Sequence, residues 1–432
     1  MQAILLSIGD ELTLGQTLDT NSAWLAQQLT AIGYKPVAHL TVPDDQMAIQ
    51  QAMEESVGRC DALIISGGLG PTEDDLTRQA LAAFLNQPLE LVPEALKNVE
   101  RFFRLLKRDM PERNKIQAML PRGTEMIENT AGTAPGIHCN YQSGDQKTVC
   151  RIFIMPGVPK EMKIMFTRDV LPKLQPQGGG GNVILSKTLH TFGLGESAIA
   201  EKIPELMRRD RNPSVGTTVS NGYVSLRINA YFDSRERAQT ELAQTEQLCR
   251  AALGDLIWGQ DGETLQEVIG TLLKQQKKTV TTAESCTGGL VAKYLTDISG
   301  SSVYFQFGFV TYANEAKHKL LGVEIGPEGA VSQQTVIQMA QGALRQSGAD
   351  YALAISGIAG PNGGNPQKPV GAVCIALCAV DRSASDSSFI LHPSSFARTF
   401  LFPGDREMIR DRSAKMALTM LRYHLLGKPL PF

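Results

Sequence analysis

Four short apolar runs in this chain each stop at a small or polar turn: AILLSIG (3–9), DALIISGG (61–68), KTVTTAES (278–285) and DYALAISG (350–357). Compact runs of this kind, bounded by glycine or serine, are read as strands buried on both faces. Between them the apolar residues fall at helical spacing, as in LTRQALAAFL (76–85). Strand–helix alternation predicts an α/β fold, a parallel sheet with helices on both faces. Ligands of such sheets bind at the carboxyl ends of the strands. Gly9–Asp10–Glu11, Gly67–Gly68 and Ser285–Cys286–Thr287 all fall there.

A chain of 432 residues exceeds one ordinary core, and three domains are expected. The first, residues 1–175, is an α/β/α domain. Within it NSAWLAQQLTAIG predicts a helix with Trp24, Leu25, Leu29 and Ile32 on one face, Asn21 at its cap and Gly33 at its stop. QPQGGGGNV (175–183) reads as a linker. A small α+β domain, 176–258, then sets two half-exposed strands, VILSKTLHTFG and VSLRINAYF, beside the helical ESAIAEKIPELMRR and RAQTELAQTEQLCRAAL. The third domain, 259–432, opens with a helix after Thr264 and resumes the alternation, closing on the helix REMIRDRSAKMALTMLRYHL. SASDSS (383–388) reads as a polar surface loop.

A net charge of -2 argues against a strongly basic nucleic-acid surface. No apolar run is long enough to span a bilayer, and Met1 leads into a strand rather than a signal peptide. The seven cysteines form no CxxC pair, and the six histidines form no zinc motif. Reduced thiols and a cytoplasmic location are expected.

At the third domain's first strand end, Gly288–Gly289 open a helix whose amides suit an oxyanion or a phosphate. Ser285 stands just before them as a nucleophile in need of a base. YANEAKHKLLG supplies Tyr312 and Lys317, and a desolvated lysine loses its proton readily. The turn from Gly357 to Gly360 adds backbone donors, and Arg406 and Arg410 can neutralise a phosphate or orient a carboxamide. Cys286 is a rival nucleophile. Plainer readings stand beside these: serine and threonine as helix caps, Lys317 as a solvated lysine, Arg406 as an ion-pair partner.

In the first domain, SGGLGPTEDDLTRQAL (66–81) frees the backbone at Gly67, Gly68 and Gly70, as a phosphate cradle requires. Glu73, Asp74 and Asp75 follow, with Thr77 beginning a helix. Carboxylates beside a phosphate loop repel it unless a divalent cation lies between, and Glu11 could join them. Asn129 adds a polar group in IENTAGTAPG. The alternative is that the acidic run only favours the helix dipole.

AESCTGG, GFVTYANEAKHKLLGV, ISGIAGPNGG and FPGDREMIR together resemble the C-terminal domain of the CinA (competence/damage-inducible protein) family, the nicotinamide mononucleotide amidohydrolase type. The resemblance implies hydrolysis of nicotinamide mononucleotide to nicotinic acid mononucleotide and ammonia, with no cofactor. It implies Ser285 as nucleophile, Lys317 as base and Tyr312 beside them. Thr287, Gly288, Gly289, Ser356, Gly357, Gly360, Arg406 and Arg410 would bind the substrate.

SIGDELTLGQTLDTNSAWLAQQL, SGGLGPTEDDLT, NTAGTAPG and IMPGVPKEM resemble the family's N-terminal domain, which is molybdopterin-binding-like in fold. In some members that domain is an ADP-ribose pyrophosphatase dependent on a divalent metal (magnesium, manganese or cobalt) and potassium. The resemblance implies Glu11, Asp74 and Asp75 as metal ligands, with Gly67, Gly68, Gly70, Thr72 and Asn129 at the substrate. Asp10 stands where the family usually has threonine. FGLGESAIAEKI (192–203) matches the family's middle segment. The expectation is a homodimeric, bifunctional pyridine-nucleotide salvage enzyme acting on small nucleotides, without direct nucleic-acid or membrane binding. Two alternatives are a non-catalytic molybdopterin- or nucleotide-binding N-terminal domain and an accessory role in competence or recombination.

Overall fold

A computed structural model describes residues 1–142, 149–175, 183–220, 222–380 and 394–431. Residues 176–182 of the predicted linker and the SASDSS stretch lie outside the described residues. The chain forms two compact units, Met1–Ser186 with Asn229–Ala243, and Lys187–Ile228 with Gln244–Phe432. Among the described residues no helix is long and apolar enough to cross a membrane.

The first unit is built on six strands: β1 (Gln2–Ile8), β2 (Lys35–Val42), β3 (Ala62–Ser66), β4 (Glu125–Ile127), β5 (Gly136–Gln142) and β6 (Val149–Met155), in the order β2-β1-β3-β6-β5-β4. The pairs β1/β2, β1/β3 and β3/β6 are parallel, with Leu5 opposite Ile64. The pairs β5/β6 and β4/β5 are antiparallel. The sheet is therefore mixed, because successive strands joined without a crossover helix must run antiparallel.

Alternate residues of β1 enter different cores. Ile4, Leu6 and Ile8 pack with Ile49, Met53 and Leu81, whereas Ala3 and Leu5 pack with Leu25, Leu29 and Phe166. Burial on both faces is why the run is apolar throughout. Helix α1 (Thr20–Ala31) buries Leu25 and Leu29, with Trp24 and Ile32 packed at the margin. Its cap is Asp19, which accepts the Ser22 N–H at 2.9 Å, and not the expected Asn21. Helices α2 (Gln46–Val57) and α3 (Thr77–Leu85) pack on each other.

The second unit carries β7 (Val280–Glu284), β8 (Phe305–Val310), β9 (Tyr351–Gly357), β10 (Ala372–Ala379) and β11 (Ser394–Leu401), in the order β8-β7-β9-β10-β11. β7 is parallel to β8 and β9, while β9/β10 and β10/β11 are antiparallel. Here too the antiparallel pair follows from a glycine- and proline-rich loop, rather than a helix, between β9 and β10. One face carries α4 (Leu265–Gln276), α5 (Leu290–Thr296) and α8 (Arg406–Leu425), packed over Leu353, Ile355, Val373 and Ile375. The other carries α6 (Asn314–Leu321) and α7 (Gln333–Ser347), over Ala352, Ala354, Cys374 and Ala376. Thr264 and Glu267 cap α4 reciprocally. The helix expected over ESAIAEKIPELMRR stops at Lys202, because Pro204 lacks the N–H an α-helix needs and starts a 3₁₀ turn.

Helices α6 and α7 touch at Gly342, where a Cβ would lie 2.2 Å from the Leu321 carbonyl oxygen. Gly342→Ala is expected to lower stability by about 1–3 kcal/mol, read as a lower thermal midpoint. Gly195→Ala, whose Cβ meets nothing within 4 Å, is the control that should leave the midpoint unchanged.

Candidate functional site

The end of β7 passes through Ser285 into a turn with positive φ at Gly288 (63°) and Gly289 (92°), and α5 follows. Both angles favour glycine, which explains the pair. Lys317 lies in α6, beyond the end of the neighbouring strand β8. Its side chain reaches back to the Ser285 turn and is 1 % exposed. Lys317 Nζ lies 3.1 Å from Ser285 Oγ, 2.9 Å from the Thr311 carbonyl and 3.1 Å from that of Tyr312. Burial holds the lysine below its ordinary value, with a smaller opposing pull from Cys286. A neutral amine has two N–H donors and one lone pair. With its donors on the two carbonyls, the lone pair is left to receive the Ser285 proton.

Cys286 is placed differently. Its side chain packs in the apolar cluster with Val291 and Ile355, and burial pushes the thiol up to about 12. A thiol so shifted is not ionised near neutrality, so the geometry favours the hydroxyl.

Two further groups hold the turn, and a third lies at the rim. The buried Glu284 accepts the Val291 and Ala292 N–H groups at 3.1 and 2.8 Å, anchoring the start of α5. Arg410 donates to the carbonyls of Cys286 (3.2 Å) and Thr287 (2.8 Å). Arg406, exposed, donates to the Gly360 carbonyl at 2.7 Å and the Tyr312 hydroxyl at 3.1 Å. The Tyr312 ring is itself 60 % exposed.

Several expected contacts differ. The Gly288 N–H turns inward to the Ser285 carbonyl at 3.0 Å, so it does not face a ligand. Thr287 is fully buried. Ser356 is buried and donates to the Ala330 carbonyl at 2.7 Å, and Gly357 packs against Val373. Gly360 offers Arg406 its carbonyl rather than an amide. Arg410 is engaged with backbone, not held open for a phosphate. A cavity of about 780 Å³ in this unit, lined by Glu328, Gln333, Lys368 and Thr399 among others, includes neither Ser285 nor Lys317.

In the first unit the ends of β1 and β3 come close enough that a Cβ on Gly67 would lie 2.3 Å from the Ile8 carbonyl. Gly68 has φ 66°, and a Cβ there would strike Thr77 Oγ1. The loop is braced from within. Asp75 accepts the amides of Gly70 (2.7 Å) and Thr72 (2.8 Å) and the Thr72 hydroxyl. Buried Arg78 donates to the carbonyls of Leu69 (2.7 Å) and Gly70 (2.5 Å), and burial lowers it to about 10. Asp75 and Thr72 thus brace the loop in this structure. Asn129 is likewise spent on the Ala134 carbonyl and Glu161.

A carboxylate missed in the sequence, Asp44, exchanges hydrogen bonds with Asp10. Its carboxyl is raised by partial burial and by the nearby charges of Asp10, Glu11 and Asp74, despite the Asp10 amide. Glu11 and Asp74 are exposed. Among the described residues no three His, Cys, Asp or Glu side chains are grouped to hold a metal ion. Glu11, Asp74 and Asp75 form no such group among the described residues.

Fold and site define a multidomain α/β protein with a buried serine–lysine pair beyond one sheet and a glycine loop with an acidic rim at the end of another. Residues 4–176 match the probable molybdopterin binding domain, 186–259 the damage-inducible protein CinA KH domain, and 262–425 the CinA C-terminal domain. The chain is 41 % identical to a putative competence-damage inducible protein of Symbiobacterium thermophilum, covering 99 % of each chain. It is 39 % identical to one of Moorella thermoacetica (98 % of each) and 38 % identical to a CinA-like protein of Kosmotoga olearia (99 % of each). The protein belongs to the CinA competence/damage-inducible protein family.

All seven cysteines are buried. Iodoacetamide at pH 7.5 is expected to leave Cys286 unmodified in the native protein and to alkylate it in denaturant, as mapped by mass spectrometry. Native labelling of Cys286 would contradict its placement.

Proposed function

We propose that the second unit hydrolyses the carboxamide of nicotinamide mononucleotide, giving nicotinic acid mononucleotide and ammonia. The observation that carries this reading is the 3.1 Å contact between a buried lysine amine and Ser285 Oγ. Neutral Lys317 takes the hydroxyl proton as Ser285 Oγ attacks the carboxamide carbon. Backbone amides of the turn stabilise the tetrahedral oxyanion. The lysine proton passes to the leaving nitrogen, ammonia departs, and water hydrolyses the acyl-enzyme by the same route reversed. The Tyr312 oxygen accepts from Arg406, so its own proton remains free to meet the substrate. Arg406, cationic on the exposed rim, suits the nucleotide phosphate.

For the first unit we propose ADP-ribose hydrolysis to AMP and ribose 5-phosphate, supported by the glycine loop beside the Asp10, Glu11, Asp44 and Asp74 carboxylates. A divalent ion there would offset repulsion between those carboxylates and the pyrophosphate. Pterin or nucleotide binding without turnover is the competing reading. The proposal retains three domains (1–175, 176–258 and 259–432), a homodimer and a cytoplasmic setting.

Ser285→Ala and Lys317→Met are each expected to cut ammonia release on the order of 10³-fold, with the thermal midpoint retained. Cys286→Ala should stay within about threefold of wild type; a dead Cys286 variant with an active Ser285→Ala would reverse the assignment. Because the neutral amine is the active form, kcat/KM should climb with pH. Its apparent pKa should lie below the ordinary lysine value of 10.5. A profile without that limb would remove Lys317 as base. AMP production from ADP-ribose should cease in excess chelator, and turnover surviving chelation would refute the metal requirement.

A further inference from the structure

We infer that Arg410 is a positioning residue, a clamp on the carbonyls of the nucleophile turn that aims its amides at the oxyanion, and that it does not bind substrate. This rests on the reading of Ser285 as an acyl nucleophile.

Three successive carbonyls of the turn are held. Ser285 O accepts the Gly288 N–H at 3.0 Å. Cys286 O accepts Arg410 Nε–H at 3.2 Å, and Thr287 O accepts from Nη2 at 2.8 Å. In a planar trans peptide the carbonyl and the following N–H point in opposite directions. Fixing the carbonyls of residues 285 and 286 therefore fixes the N–H groups of Cys286 and Thr287 on the other side of the turn. Among the described residues neither amide donates to another backbone group, and both lie near the Cys286 sulfur. The Gly288 amide, by contrast, is already spent.

The amide of the residue after a nucleophile is an oxyanion donor in strand–turn–helix acyl-transfer sites. An oxyanion donor must be held before the reaction, and a flat guanidinium reaching two carbonyls does so with one side chain. Gly288 makes room for it, since a Cβ there would stand 3.2 Å from Arg410 Nη2. Arg78 grips the Leu69 and Gly70 carbonyls beneath the other glycine loop in the same manner.

The test uses full-length wild type, Arg410→Ala and Arg410→Lys, each checked by thermal unfolding. Two rates are read: ammonia release from nicotinamide mononucleotide, and labelling of Ser285 by a fluorophosphonate. The labelling needs the nucleophile and oxyanion donors but no natural substrate. Arg410→Ala is expected to lower kcat on the order of 10²-fold with KM within about threefold, and to slow labelling comparably. Millimolar guanidinium should restore roughly tenfold of the loss. Arg410→Lys keeps the charge but lacks the fork, so kcat should fall about tenfold or more with KM unchanged. It carries both readouts if Arg410→Ala does not fold. A KM raised about tenfold with kcat intact would make Arg410 a substrate contact and overturn the inference. Wild-type labelling rates in a folded variant would overturn it too. If wild type releases no ammonia, the deamidase reading fails, and the labelling comparison alone decides the role of Arg410.

Discussion

A lysine side chain withdrawn from water is the constraint around which the second unit is arranged. Burying an ammonium costs several kcal/mol unless it is well partnered, and a nearby carboxylate would favour the charged form. Here the partners of Lys317 Nζ are two backbone carbonyls and a hydroxyl, all neutral. Such a shell satisfies the amine once its proton is gone. The folded state therefore binds fewer protons at this group than the unfolded chain. In the window between the depressed folded value and 10.5 its contribution to stability rises with pH. The carbonyls come from the two residues after β8 and the amine from the helix beyond, so strand end and helix start must be set together.

The two units reach similar loop architecture from unrelated sequence. In each, a strand ends in a glycine-bearing turn, a helix follows, and an arginine holds two consecutive turn carbonyls. They differ in what stands in front. The turn at 285 offers a hydroxyl beside an amine. The loop at 67–75 turns one of its own carboxylates inward and leaves the others on the rim. Asp75 illustrates why acidic residues near a glycine loop are ambiguous: a carboxylate is as good an acceptor for three loop donors as for a metal.

Much of this was legible because it is local. Alternation of strand and helix, the cap at Thr264 and the span of α8 are written in neighbouring residues. Ser285 and Lys317 were legible as a pair because each follows the end of a strand in a motif of its own. Strand direction was legible in part: the parallel pairs follow the alternation, and the antiparallel return to β10 is marked only by a glycine- and proline-rich stretch without helical period. The cap of α1 was not, where Asp19 and Asn21 are both good cap residues and Asn21 is instead drawn to Ser66 and the Gly157 carbonyl. Arg410 meets Cys286 across 124 residues, and Asp44 meets Asp10 across 34. No window along the chain connects them.

The close approach at Gly67 bears on how the lineage of such a protein can drift. A carbonyl already occupies the place where any larger residue would begin. That veto operates whether or not the loop ever touches a ligand. A descendant that had lost all turnover in its first half would still carry the glycine, as long as it still folded. Retention of that residue testifies to architecture, and a record of lost chemistry must be sought instead among exposed rim carboxylates such as Glu11.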